Sequence, residues 1–271
     1  MSKKEISLKQ REERLGEINI SNEGYEMKIV EYNGYMDIIV EFQDKYKAKV
    51  HTRYQDFKRG GIKNPYHPCV LGLGYYGQGK YRSRGKDGKK TKAYDYWHGM
   101  LQRNYDPYLL NKYPTYHDCY VCEEWLCFQN FAEWFYRNYY EIEGQRMCLD
   151  KDILCKGNKI YSPKTCIFVP ERINCLFIKK DTNRGEYPIG VGLCKKTPKN
   201  GRKIDVLQVG CSTLEGIKHL GYFPLNRPFQ AFTCYKNFKE KYIKQIADEY
   251  KEFIPKKLYD ALYKYEVEIN D

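Results

Sequence analysis

No apolar run in this 271-residue chain approaches the roughly 20 residues that cross a bilayer as a helix. The opening stretch, MSKKEISLKQREERLGEI, has no apolar core and so is not a secretory signal. An intracellular protein with no membrane partner is therefore expected. The 11 cysteines are odd in number and scattered, which fits free thiols acting as small hydrophobes in a reducing compartment. The one C-x-x-C, Cys119 to Cys122, has no second pair at fitting spacing, so no structural zinc is expected. The chain has no G-x-S-x-G, no H-E-x-x-H and no Ser/His/Asp grouping. GLGYYGQGK lacks the Gly-Lys-Ser/Thr ending and the strand-to-helix setting of a phosphate loop.

Acid is the other shortage. There are 35 Asp and Glu against 47 Lys and Arg, a net charge of +12. Tyrosine, by contrast, is abundant at 28 residues. Cations neutralise phosphates and flat rings stack on bases or pack beside sugars, so this composition suits nucleic acid. The charge is concentrated. KYRSRGKDGKKTK, residues 80–92, carries seven basic residues and one acid, half of the chain's net charge. Lys80, Arg82, Arg84, Lys86, Lys89 and Lys90 are its candidate phosphate contacts. The glycines just before and within it read as a loop or linker, either solvated or ordered on binding a polyanion.

The patterning predicts an α+β chain of several domains. Residues 1–66 hold short β-branched strands, EMKIVEY and DIIVEF, with Asn33-Gly34 read as the tip of a hairpin. A third strand lies in YKAKVHTRY, and together they predict a small β-barrel-like module. Residues 67–92 are the Gly-rich basic linker. From 93 the period becomes helical: Tyr94, Trp97, Leu101 and Tyr105 share a face. A second helix from about Glu123 carries Trp125, Phe128, Ala132, Phe135 and Tyr139. Trp97, Trp125 and Trp134 are read as core. Residues 145–180 predict strand, long loop, strand and helix. Residues 186–271 predict a three-stranded antiparallel sheet covered by one long helix with Ala231, Tyr235, Phe238, Tyr242 and Ile246 on its apolar face, then a short terminal helix.

Two independent resemblances overlie this reading. Residues 93–178 resemble a phage and bacterial group related to HNH endonucleases. That group has a Trp-x-x-Met helix, an aromatic helix, then LDRIDNxGNYxPxNCRWxT and a later Asn. Here stand YWHGML, EEWLCFQNF, LDKDILCKGNKIYSPKTCIFVP and ERIN. Residues 186–254 resemble the apetala/ethylene-response-factor DNA-binding domain, through YPIGVGL, KIDVLQVGC, HLGYFPLNRPFQAFTCY and FKEKYIKQIADEY. The combination resembles phage homing endonucleases. The fold expected is a β-rich module at 1–66, a ββα-metal segment at 93–180 and a sheet-plus-helix DNA-binding domain at 186–271. The setting expected is the cytoplasm of a bacterial host.

The resemblance implies roles for individual residues. Asp150 takes the place of one ligand to Mg²⁺ or Mn²⁺, and Asn174 the place of the ligand on the following helix. Lys151 stands where the family has its general-base histidine, and Thr165 stands at the middle asparagine. An ordinary lysine is protonated at neutral pH and is a poor base. The base could then come from His117 or His98, or from Asp152, which would share a side with Asp150 if the strand continued through both. Lys151 could instead contact the scissile phosphate. In the sheet-in-groove mode of the second family, Lys203, Gln208 and Lys218 are the candidate DNA contacts. Double-stranded DNA is the expected partner. Three functions stay open: a metal-dependent endonuclease, a non-catalytic DNA-binding regulator, and an antagonist that binds a host protein.

Overall fold

The computed structural model describes residues 8–178, 186–197, 201, 203–269 and 271. It is a mixed α+β chain that divides into two compact units, 1–137 and 138–271. Among the described residues no helix is long and apolar enough to cross a membrane.

The first unit opens with α1 (Leu8–Arg14) and an antiparallel sheet of β1 (Ile18–Ile20), β2 (Glu26–Gly34), β3 (Asp37–Phe42) and β4 (Lys49–Thr52), in that order. Alternation along the start of β2 and along β3 buries Met27, Ile29, Ile38, Val40 and Phe42 on one face, and an irregular step after Ile29 brings Tyr32 into the same core. The short helix α2 (Tyr54–Lys58) covers that face with Tyr54 and Phe57. The sheet is an open meander, and among the described residues β1 does not pair with β4 to close a barrel. The covering helix buries the apolar face without closure. The hairpin tip lies at Tyr35-Met36, two residues beyond the Asn33-Gly34 expected from sequence. Gly34 is still paired, with Asp37, after an irregular step in register.

The Gly-rich segment that follows is packed against helices. It lies against α3 (Lys92–Tyr105) and α6 (Phe128–Asn138). Between them run α4 (Pro107–Lys112), β5 (Tyr120–Val121) and α5 (Glu123–Leu126). The aromatic helix expected as one piece is broken at Cys127, whose backbone is extended at ψ 120°. The Gly-rich segment fills the break: the Tyr75 N–H donates to the Leu126 carbonyl at 3.0 Å, and the Phe128 N–H donates to the Tyr75 carbonyl at 2.9 Å. A Cβ at Gly79 would collide with the Gln129 side chain. That side chain accepts from the Tyr81 N–H at 3.0 Å and donates to the Tyr81 carbonyl at 2.8 Å.

In the second unit β6 (Met147–Asp150) pairs antiparallel with β8 (Ile167–Pro170). A long loop containing β7 (Ile160–Tyr161) joins them, and one turn of helix, α7 (Glu171–Asn174), follows at once. The C-terminal sheet holds β9 (Val191–Lys196), β10 (Ile204–Thr213) and β11 (Gly216–Phe223), with β10 central and both pairs antiparallel. The long helix α8 (Pro228–Tyr250) packs Ala231, Phe232 and Tyr235 on Val191, Leu207, Val209 and Cys211. The terminal helix α9 (Lys256–Tyr263) buries Leu258 and Leu262 against the far half of α8.

Candidate functional site

The acidic loop begins where β6 ends. Asp150 is the last residue of the strand, and its Oδ1 accepts the N–H groups of Asp152 at 2.8 Å and Ile153 at 2.7 Å. The side chain thus caps the turn that carries the chain off the strand. Burial, helped by the nearby Asp152 carboxylate and opposed by those two N–H groups, holds the Asp150 carboxyl above the usual range. Because β6 stops here, Asp150 and Asp152 do not share one strand face. Asp152 is exposed and turns to its neighbour: Lys151 Nζ donates to Asp152 Oδ1 at 2.6 Å and to the Asn158 carbonyl at 3.0 Å. Lys151 itself is buried, with its ammonium over the Tyr161 ring.

Asn158 is the residue that sequence reasoning missed. Gly157-Asn158 reads as a simple turn, yet the Asn158 amide donates to the carbonyls of Lys151 and Ile160, both at 2.8 Å. Its oxygen accepts the Ile160 N–H at 3.2 Å. One amide therefore ties the start of the loop to its return strand. Its position three residues before Tyr161-Ser162-Pro163 was the available signal. Thr165 donates to the Ile160 carbonyl at 2.8 Å. Its single proton being used there, the 2.8 Å contact with Ser162 has the serine as donor. Asn174 is half-buried at the end of α7. His117 and His98 belong to the first unit. His117 is exposed, and His98 is half-buried on α3, where burial lowers its pKa.

The outer face of the C-terminal sheet has a different chemistry. Leu207, Val209 and Cys211 point to α8, so Ile204, Val206, Gln208, Gly210 and Ser212 point away. Register adds Gly192, Cys194 and Lys196 from β9 and Ile217, His219 and Tyr222 from β11. No carboxylate stands among these residues. Lys196 Nζ lies 4.0 Å from the centre of the Tyr222 ring, within cation–π range. The His219 and Tyr222 rings lie 4.4 Å apart, and Gln208 Nε2 is 3.4 Å from His219 Nδ1. Gly192, opposite Gln208, has open space where a Cβ would be. Ile217 is 83% exposed. Of the residues expected here, Gln208 is central and Lys203 is exposed just before β10. Lys218 pairs with Cys211 on the α8 side, its ammonium 5.2 Å from the Phe238 ring centre. Lys196, His219 and Tyr222 were not anticipated; period-2 alternation from Gln208 would have found the last two only with the register known.

The basic segment forms a tight hairpin in the first unit. Arg84 bridges Lys90, the Gly85 N–H donates to the Lys89 carbonyl, and the Thr91 N–H donates to the Ser83 carbonyl. Lys80, Arg82, Arg84, Lys86, Lys89 and Lys90 are all exposed. Three are partly engaged: Lys80 lies 3.6 Å from Glu133, Arg84 donates to the Gly88 carbonyl, and Lys90 Nζ lies 5.7 Å from the centre of the Tyr94 ring. Asp87 caps the Lys89 N–H at the tip.

Among the described residues no three His, Cys, Asp or Glu side chains are grouped to hold a metal ion. All 11 cysteines are free thiols. No protein-family model matches the chain, and no curated protein or solved structure matches it either.

Proposed function

We propose that the chain binds double-stranded DNA, with the outer face of β9-β10-β11 reading the duplex and the 80–92 hairpin contacting phosphates. The observation that carries this reading is the acid-free sheet face on which Lys196, Gln208, His219 and Tyr222 meet. A cation, an amide and two rings on a rigid surface supply the donors that duplex edges and phosphates accept. A two- or three-stranded β-surface fits the major groove. The glycine at 192 leaves the backbone approachable. The hairpin adds exposed positive charge without sequence preference.

Salt titration of duplex binding tests it. Affinity falls about 10³-fold between about 50 and 200 mM salt if roughly six phosphates are contacted. Weak, salt-insensitive DNA association beside tight protein binding would favour the antagonist reading.

A second reading, metal-dependent cleavage, is favoured by the order strand–loop–strand–helix with Asp150 at the first strand's end and Asn174 on the helix. The donor set, one carboxylate with an uncommitted second oxygen and one amide, fits Mg²⁺ or Mn²⁺ drawing its remaining ligands from water and substrate phosphate. Such an ion would stabilise charge on a phosphate oxygen. The chain's own residues supply less. Lys151 is a buried cation tied to Asp152, so neither is free to take a proton from water. DNA binding without cleavage is therefore the stronger reading of this loop.

A further inference from the structure

The apolar stripe of α8 contains an intruder. Tyr235, Lys239, Tyr242 and Ile246 follow one another on the buried face, and Lys239 is only 7% exposed. Among the described residues no hydrogen bond or ion pair reaches its ammonium. The group nearest in charge terms is the Cys211 thiol, which burial pushes up and so keeps neutral. A cation buried with no partner is strongly disfavoured against its hydrated state, and burial accordingly lowers the Lys239 pKa; an aliphatic residue at 239 would avoid that penalty.

The lysine lines a cleft of about 580 Å³. The cleft arises from strand lengths. Backbone pairing on this side ends one step beyond Val191, where the Gly210 N–H donates to the Gly190 carbonyl at 3.0 Å, while β10 runs on to Thr213. The end of β10 past Gly210 forms one wall through Ser212, and Tyr235, Lys239 and Tyr265 form another. Asp271 also lines it, but its Oδ2 is held by Lys156 Nζ and the Glu268 N–H, each at 2.8 Å. It is therefore committed elsewhere.

We propose that this cleft binds a small-molecule oxyanion, a carboxylate or phosphate group, with Lys239 as its cation and the Tyr265 hydroxyl as a neutral donor. The bound anion supplies the countercharge that the fold leaves out. Gly192, Gln208 and Ile217 of the outer sheet face also line the cleft, but Lys239 reaches it from the helix side and its variants leave Lys196 and Tyr222 in place, so this test and the test of DNA binding fail separately.

The test uses the full chain, with inorganic phosphate and acetate as probes at constant ionic strength. Thermal unfolding is followed for wild type, Lys239→Arg and Lys239→Met. The methionine keeps length without charge, and its own melt shows that it folds. The ¹⁵Nζ signal of Lys239 is followed alongside. The expected result is a saturable rise in melting temperature for wild type and Lys239→Arg, absent in Lys239→Met, with a saturable shift of the Lys239 signal. A rise with phosphate alone assigns a phosphate group, and one with both assigns any oxyanion. An equal rise in Lys239→Met reports general salt stabilisation and overturns the proposal. So does no response from either probe.

Discussion

The Lys151 ammonium and the Asp152 carboxylate are locked at 2.6 Å, and the same ammonium holds the Asn158 carbonyl at 3.0 Å. The residue standing at the family's general-base position is thus a structural cation that fixes the loop. Replacing Lys151 by Met should cost about 1–3 kcal/mol of stability, because the half-buried Asn158 carbonyl and the Asp152 carboxylate lose their donor. Asn158→Ala should cost a similar amount through three lost hydrogen bonds. Urea unfolding of both variants checks this. Duplex binding per folded molecule should be unchanged, since neither residue lies on the outer sheet face.

Asp150 works first as a cap. Asn in its place keeps the oxygen that accepts the Asp152 and Ile153 N–H groups, whereas Ala removes it. Asp150→Ala should lose about 1–2 kcal/mol, the usual worth of such a cap, and Asp150→Asn should lose little or none. Denaturant midpoints compare them. A large loss in Asp150→Asn would show that the ionised carboxylate itself is required.

The first unit carries a pH signature. Burial opposes ionisation of Glu17, but hydrogen bonds from Lys58, Tyr54 and Arg14 outweigh it and hold the carboxyl below its ordinary range. A depressed carboxyl binds fewer protons folded than unfolded. Its contribution is therefore present above an unfolded pKa of about 4.3 and is lost as pH falls through the folded value. Glu17→Gln should be less stable than wild type at pH 7, and the gap should close below about pH 4. Melts across pH 3–7 measure the convergence; a constant gap would mean the cluster acts through packing alone.

Gly190 joins the approach to β9 with the α8 face. Its φ is +76°, and a Cβ there would enter the Tyr235 ring. Gly190→Ala meets both a left-handed backbone and an overpacked contact, costing about 2–4 kcal/mol together. Thermal melts should show the loss, and Gly192→Ala, with open space at its Cβ, should be far milder.

Period and turn chemistry made much of this architecture legible. The alternation in 26–42, the helical stripe through Tyr94, Trp97 and Leu101, and the three strands and long helix after 186 all form as the residue pattern implies. The barrel did not form, because α2 covers the one apolar face that closure would have buried. The aromatic helix broke at Cys127, because Tyr75, some 50 residues earlier in the chain, supplies the missing backbone partners. Such long-range pairing leaves no local signal. Within 67–92, Gly74, Gly77 and Gly79 pack closely on Trp97, Leu101, Cys127 and Gln129 where the sequence reads as a loop or linker, because freedom and close approach look alike in a run of glycines. At the acidic loop, Asp150 and Asn174 were named from motif, while Asn158 emerged only once its three bonds were visible. Lys239 hid in plain pattern, since a lone lysine in an apolar stripe reads as a solvent-facing neighbour until the helix is docked.

The central claim is that the outer face of β9-β10-β11 grips duplex DNA. Fluorescence anisotropy with a labelled random duplex at fixed salt tests it most directly, comparing wild type with Lys196→Gln/Tyr222→Ala and with Lys218→Gln on the α8 side. The account predicts at least about 10-fold weaker binding for the outer-face variant, with its salt slope reduced by about 1 for the lost lysine, and near-wild-type binding for Lys218→Gln. Equal affinities for wild type and the outer-face variant, or a larger loss in Lys218→Gln, would contradict it.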